Sequence, residues 1–254
     1  MSEKKHIGFL LIGVLITGIM VPAVLAAADD TITALELVAD IREDLKEIDD
    51  QIRNHRYLSD LQKGKVSVEA LRAFPGHQYH TVLSDLRSMA LFVQRFGNDP
   101  TARSFLNGVL QGEFAAIEGI AVLALKLGMT EADLKKYEVT PEGFGYATYM
   151  AWQSVYASPA EIVCGLLVNF PAWGYNCGQM SKALRDEYGF SEQDTVFLDS
   201  FANMPSFEDV AIEIIQDGLN QGVTPEEIHR SARLFQAYEK MFWDAMATIA
   251  GITF

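Results

Sequence analysis

The chain has 254 residues, 49% of them hydrophobic, which suffices for one domain with a full core, and no linker, repeat or low-complexity run divides it. Asp and Glu number 34 against 20 Lys and Arg, a net charge of -14. With no basic cluster outside the extreme N-terminus, the charge excludes a nucleic-acid partner, because neutralising phosphates requires a basic face.

Residues 1–28 read as a targeting segment. Lys4 and Lys5 precede an uncharged apolar stretch from Ile7 to Ala28, with small residues at Val24-Leu25-Ala26 and Ala26-Ala27-Ala28 where a signal peptidase would cut. The stretch is nearly long enough to span a bilayer, so an uncleaved anchor is the alternative to a cleaved signal. No cysteine near Ala26 is available for a lipid. Either way the domain, residues 29–254, is expected outside the cytoplasm, touching a membrane only through this segment.

The remainder reads as helices. Residues 33–56 form an amphipathic helix with Leu35, Leu37, Val38, Ile41, Leu45 and Ile48 on its apolar side, and the acidic run from Asp40 to Asp50 is its solvated face. Helices follow at 68–96, 101–127, 145–156, 159–188, 207–218 and 225–249. Gly97-Asn98-Asp99-Pro100 stops one helix and opens the next; Thr130-Glu131-Ala132-Asp133, Ser158-Pro159-Ala160-Glu161 and Thr224-Pro225-Glu226-Glu227 resemble N-terminal caps. Nothing reads as a strand, and the pattern alone gives an all-α bundle.

Several polar residues interrupt apolar faces. Asn169 lies in the run from Ile162 to Trp173, which is apolar nearly all round, so its amide faces a core network or a pocket. Glu239 sits in the stripe Phe235, Glu239, Phe242, Met246, where desolvation raises a carboxyl pKa toward neutrality. Gln78 falls between Phe74 and Val82. Glu113 falls in the stripe Leu106, Val109, Glu113, Ile117, Ile120, with Glu118 nearby. His77 and His80 are three residues apart. Phe170 and Tyr149 read as core. Cys164 and Cys177 read as small buried side chains, because thirteen residues of continuous helix separate them by about 20 Å, too far for a disulfide. No serine elbow or histidine-paired nucleophile is evident.

Certain segments together resemble the TenA/thiaminase II (TENA/THI-4, PqqC-like) family. They are His55-Arg56-Tyr57-Leu58 with Gly64 closing the turn, Tyr146-Ala147-Thr148-Tyr149-Met150, Ala160-Glu161-Ile162 running into Leu166-Leu167, and Tyr238-Glu239-Lys240-Met241-Phe242-Trp243. The resemblance spans about residues 50 to 250 and implies a heme-oxygenase-like all-α fold. It also implies a ring-binding pocket with Glu239 as acid/base and Gln78, His80, Tyr146, Asn169 and Trp173 as substrate-binding residues, and assembly as a homodimer or homotetramer. The family's Leu-Leu-Pro-Cys here reads Leu166-Leu167-Val168-Asn169, so the nucleophilic cysteine is replaced by Asn169, and glutamine stands at Gln78 in place of an aspartate that grips an aminopyrimidine.

The expected function is therefore an exported protein that binds, and has scope to hydrolyse, a small pyrimidine- or quinone-like ring, without cysteine-dependent thiaminase chemistry. Two alternatives stand beside it: a non-catalytic exported binding or assembly protein, and an oxidase on the same fold. No cofactor is expected on the first reading. For the oxidase, iron would draw on the sparse set His77, His80, Glu113 and Glu239, which lacks the six or so ligands of a di-iron carboxylate site.

Overall fold

The computed structural model describes residues 32–253, which are helical throughout apart from turns and short connections. The targeting segment lies outside the described residues. In chain order the helices are α1 (Ala34–Asp44), α2 (Lys46–Arg53), α3 (Arg56–Leu61), α4 (Val68–Leu71), α5 (Ala73–Arg95), α6 (Pro100–Lys126), α7 (Glu131–Lys136), α8 (Pro141–Tyr156), α9 (Pro159–Tyr188), α10 (Val196–Ala202), α11 (Glu208–Asn220) and α12 (Pro225–Ile249). A short 3₁₀ turn, Gln193–Thr195, leads into α10.

The two helices best marked in the sequence, α9 and α12, begin and end where their caps and breakers place them. Ser158 and Thr224 each form a capping box with the glutamate three residues on, Glu161 and Glu227, and proline follows at the first helical position. Gly189, at φ 70°, ends α9 in the left-handed conformation that costs glycine little. Pro171 does not interrupt α9. Its ring is on the exposed side, so the missing backbone N–H falls where the helix meets solvent.

Two expected helices are broken. The segment 33–56 divides at Leu45 (ψ 5°) and again at Asn54, and 68–96 divides at Arg72. The bend at Leu45 has a packing reason: Leu37, Val38, Ile41 and Leu45 enter one apolar cluster while Ile52 enters another, which a straight helix would not serve. Leu35 is exposed rather than on the packed side. Asp40, Glu43, Asp44, Glu47 and Asp50 form a solvated face.

Packing pairs α5 with α6 and α8, and α9 with α12, α10 and α11; α8 closes against α12. Where α9 meets α12, Gly165 has no Cβ, and one placed there would lie 2.2 Å from Cδ2 of Phe235. A buried polar link spans the same region: Gln153 donates to Tyr149 Oη (2.6 Å) and Ser231 Oγ (2.7 Å), and Ser231 donates to the carbonyl of Glu161 (2.7 Å). Two apolar cores result. One holds Tyr57, Phe74, Phe197, Phe242, Trp243 and Cys177, the other Ile41, Phe92, Tyr149, Cys164 and Phe235. Both cysteines are free and buried.

Candidate functional site

Between the two cores lies a cavity of ≈ 60 Å³. At roughly 10–15 Å³ per water it has room for a handful of waters or one small planar group. Each long helix contributes a stripe at helical spacing: Gln78, Thr81, Val82 and Asp85 from α5, Val109 and Glu113 from α6, Gly143, Tyr146 and Met150 from α8, and Leu166, Asn169, Phe170 and Trp173 from α9. Phe201 of α10 and Glu239 and Phe242 of α12 complete the wall. Trp173 stacks on Phe74 (centroids 6.1 Å apart, planes 6° apart) and meets Phe242 edge to face, giving the cavity a rigid aromatic side.

The polar centre is Glu239, 2% exposed. Trp243 Nε1 donates to its Oε1 (3.2 Å), and Asn169 Nδ2 donates to its Oε2. The same amide nitrogen donates to Gln236 Oε1 (3.0 Å), while Asn169 Oδ1 accepts from the Tyr146 hydroxyl (3.2 Å). From Gln236 the chain runs outward: its Nε2 donates to Asp49 Oδ1 (3.3 Å), and Asp49 pairs with Arg53 (2.5 Å) at a partly exposed position. Burial pushes the Glu239 carboxyl up to about 8, against the opposing pull of the Trp243 and Asn169 donors; Asp49 adds to the rise and Arg53 lowers it. A group titrating there exchanges protons near neutral pH.

Gln78, Tyr146, Asn169, Trp173 and Glu239 thus meet on one cavity. His80 does not. It is half-buried, with Nε2 against the carbonyl of Leu134 (3.0 Å) near the end of α7, so it does not line the cavity. His77 is also turned away. Its Nε2 accepts from the backbone N–H of Thr140 (3.0 Å), which leaves Nδ1 as the donor to the carbonyl of Ala73 (2.8 Å). Nε2 thus seats the start of α8 on α5, Nδ1 is spent on the preceding turn of its own helix, and burial holds the imidazole pKa below its usual value. Of the four residues considered for iron, only Glu113 and Glu239 reach the cavity, and this donor set does not fit a di-iron centre. Phe170, expected in the core, lines the cavity.

The profile of the TENA/THI-4/PQQC family matches residues 42–248. The chain belongs to this family. A search of curated proteins gave no match. Among solved structures, a TenA homolog from Pseudomonas syringae pv. tomato str. DC3000 is similar at TM-score 0.71 and 17% identity, covering 86% of this chain and 96% of that one. A TenA homologue from P. horikoshii OT3 is similar at TM-score 0.68 and 17% identity, covering 84% and 99%. A domain of unknown function with a heme oxygenase-like fold from Shewanella denitrificans OS217 is similar at 0.65 and 15%, covering 85% and 93%. At these identities the likeness shows the heme oxygenase-like fold.

One acidic cavity residue of this TENA/THI-4/PQQC member is not among the polar residues singled out from the sequence. Asp85 is 6% exposed and lies one heptad beyond Gln78 on the same face of α5. Its signal was available: Gln78, Thr81, Val82, Asp85 and Met89 follow one helical stripe, and an acid on it is as anomalous as Glu239 on α12. Glu113, which the sequence offers as a metal ligand, lines the same cavity.

Proposed function

We propose that this protein binds a small planar ring compound in the cavity between α5, α6, α8, α9 and α12, with Glu239 exchanging a proton with the bound ring. The observation that carries this reading is the buried Glu239 carboxyl on the cavity wall, held by Asn169 and Trp243, with burial raising its pKa to about 8. Such a group protonates a ring nitrogen or removes a proton from an attacking water at neutral pH. Tyr146, Phe170, Trp173 and Phe242 offer flat apolar contact to the ring.

Asn169 stands where the resemblance puts a cysteine nucleophile, and neither Cys164 nor Cys177 lines the cavity. An amide forms no covalent adduct with the ring, so any hydrolysis here uses water as nucleophile and Glu239 as acid/base. The reading includes an extracytoplasmic location, supported by Lys4, Lys5 and the apolar stretch that follows, and assembly from copies of this chain. The supporting surface for assembly is the outer side of α6, where Phe114 is 53% and Leu125 70% exposed.

Mass spectrometry of small molecules released from natively purified protein tests the proposal. A ring compound present in wild type and lost in Glu239→Gln supports it; identical ligand content in a destabilised Gln variant sinks it.

A further inference from the structure

Helix α8 ends in a row of aromatic rings that the cavity does not use. Tyr149, Trp152 and Tyr156 fall at positions i, i+3 and i+7 on one side of the helix, the spacing that sets side chains turn over turn. Tyr149 and Trp152 are stacked (centroids 5.8 Å apart, planes 9° apart), and Trp152 meets Tyr156 at 5.3 Å. Exposure climbs along the row, from 7% at Tyr149 to 48% at Trp152 and 68% at Tyr156, and the adjacent Val155 is exposed as well. The inner end is fixed by the core: Tyr149 stacks on Tyr238 of α12, and its hydroxyl accepts from Gln153. The row is thus a ridge held at its base and open at the tip of α8. Large apolar side chains left in water at one place mark a surface that something else covers.

The same end of the bundle receives the chain from its N-terminal stretch. Ala34, the first residue of α1, donates its backbone N–H to Gln216 Oε1 (2.9 Å) near the end of α11. Two residues further on, a Cβ at Gly218 would lie 2.3 Å from that of Ala160, in the first turn of α9 and only four positions beyond Tyr156. Ser231 brings the first turns of α12 to the Glu161 carbonyl, and Arg95 ties the end of α5 to the Ser154 carbonyl (2.8 Å). Chain entry and aromatic ridge therefore share one end of the described domain. Ahead of that entry the sequence carries the uncharged apolar residues 7–28, and the four peptide steps from Ala28 to Ile32 reach at most about 14 Å.

We propose that this end is a membrane-contact face, on which Trp152, Val155 and Tyr156 settle into the headgroup layer of a lipid bilayer and orient the domain. Tryptophan and tyrosine favour that layer because each carries a large apolar ring and one polar atom that stays hydrated. The contact is apolar rather than electrostatic: Arg230 and Arg233, exposed on the first turns of α12, are matched by the exposed Glu213, Asp217 and Glu226, so the face offers anionic lipid no net attraction. Helix α6 also starts at this end, where Thr101 donates to Glu213 (3.2 Å), so Phe114 and Leu125 lie about 20 Å and more along it. Membrane contact and assembly through α6 thus use separate surfaces.

Tryptophan fluorescence of the full chain reconstituted into phosphatidylcholine vesicles tests the proposal, with brominated phosphatidylcholine as the quencher in the lipid phase. Of the three tryptophans Trp243 is buried and Trp173 lines the cavity, which leaves Trp152 to meet lipid. Brominated lipid should lower the emission by up to roughly a third, the share of one tryptophan in three. Trp152→Phe should abolish that loss, and Tyr156→Lys should reduce it with helix content unchanged. Neither phosphatidylglycerol nor about 1 M salt should alter it. Undiminished emission in wild type, or a loss that persists in Trp152→Phe, overturns the proposal. Quenching that requires phosphatidylglycerol and disappears in salt would make the attachment one of charge and overturn it too. A Trp152 shielded from brominated lipid and aqueous iodide alike would place a second copy or another protein on the ridge, with the same consequence. Should Tyr156→Lys fail to fold, Trp152→Phe, which keeps an aromatic ring at an exposed position, still decides.

Discussion

Asn169 on α9 donates its side-chain N–H to Glu239 on α12, and through that one amide the buried acid is tied to Tyr146 on one side and to Gln236 on the other. Helix α9 therefore serves the site as the crosspiece between α8 and α12.

The Glu239 linkage gives a pH-dependent prediction. Burial pushes its pKa up to about 8 in the folded state, above the 4.5 of an ordinary glutamate, so the native state binds the proton more tightly. The stability this group confers is full below about pH 4.5 and declines as pH rises toward 8. Glu239→Gln keeps the shape and removes the titration. Its melting temperature relative to wild type should rise steadily from pH 5 to pH 8, by an amount corresponding to a few kcal/mol at most. A pH-independent difference between the two melting curves would show that Glu239 does not titrate in this range.

Close approach of α9 and α12 predicts a sharp contrast between two glycines. Gly165→Ala drives a methyl into Phe235 and the Ser231 hydroxyl, and should cost about 1–3 kcal/mol in chemical denaturation. Gly108→Ala on α6 meets nothing within 4 Å and should gain up to about 1 kcal/mol from helix propensity. Equal effects at the two positions would contradict the packing described.

The N-terminal reading predicts that the mature chain begins near Ala27 or Asp29, or that the protein stays membrane-anchored with the domain outside. N-terminal sequencing and protease protection check this. Full-length soluble protein in the cytoplasm would refute it.

Assembly through the outer side of α6 predicts a dimer or tetramer by light scattering at micromolar concentration. Phe114→Lys should shift it toward monomer without lowering helix content, because Phe114 is half exposed in the isolated chain. A wild-type monomer removes the expectation.

The class of fold was legible because helical periodicity is long-ranged and redundant. The strong capping boxes at Ser158 and Thr224 fixed α9 and α12 to the residue. The break at Leu45 was not legible, since it depends on which of two cores each apolar residue enters, and local pattern carries no such information. In the site, Asn169 and Glu239 stood out as polar residues in apolar runs, and the fold places both on the cavity. His80 shows the limit of that logic, because whether a half-buried imidazole faces a cavity or a neighbouring carbonyl is decided by α7, a six-residue helix the sequence signalled only through its Thr130 cap. Asp85 is legible by the same logic, as an acid on the α5 stripe that carries Gln78 and Met89.

The outward chain from Asn169 through Gln236 to Asp49 and Arg53 means that the central acid can be retuned from the rim of the molecule. Removing Arg53 strips away a positive influence and carries Glu239 further up; neutralising Asp49 carries it down. The protonation of Glu239 is thus adjustable in either direction by solvent-side changes that leave every cavity wall residue in place.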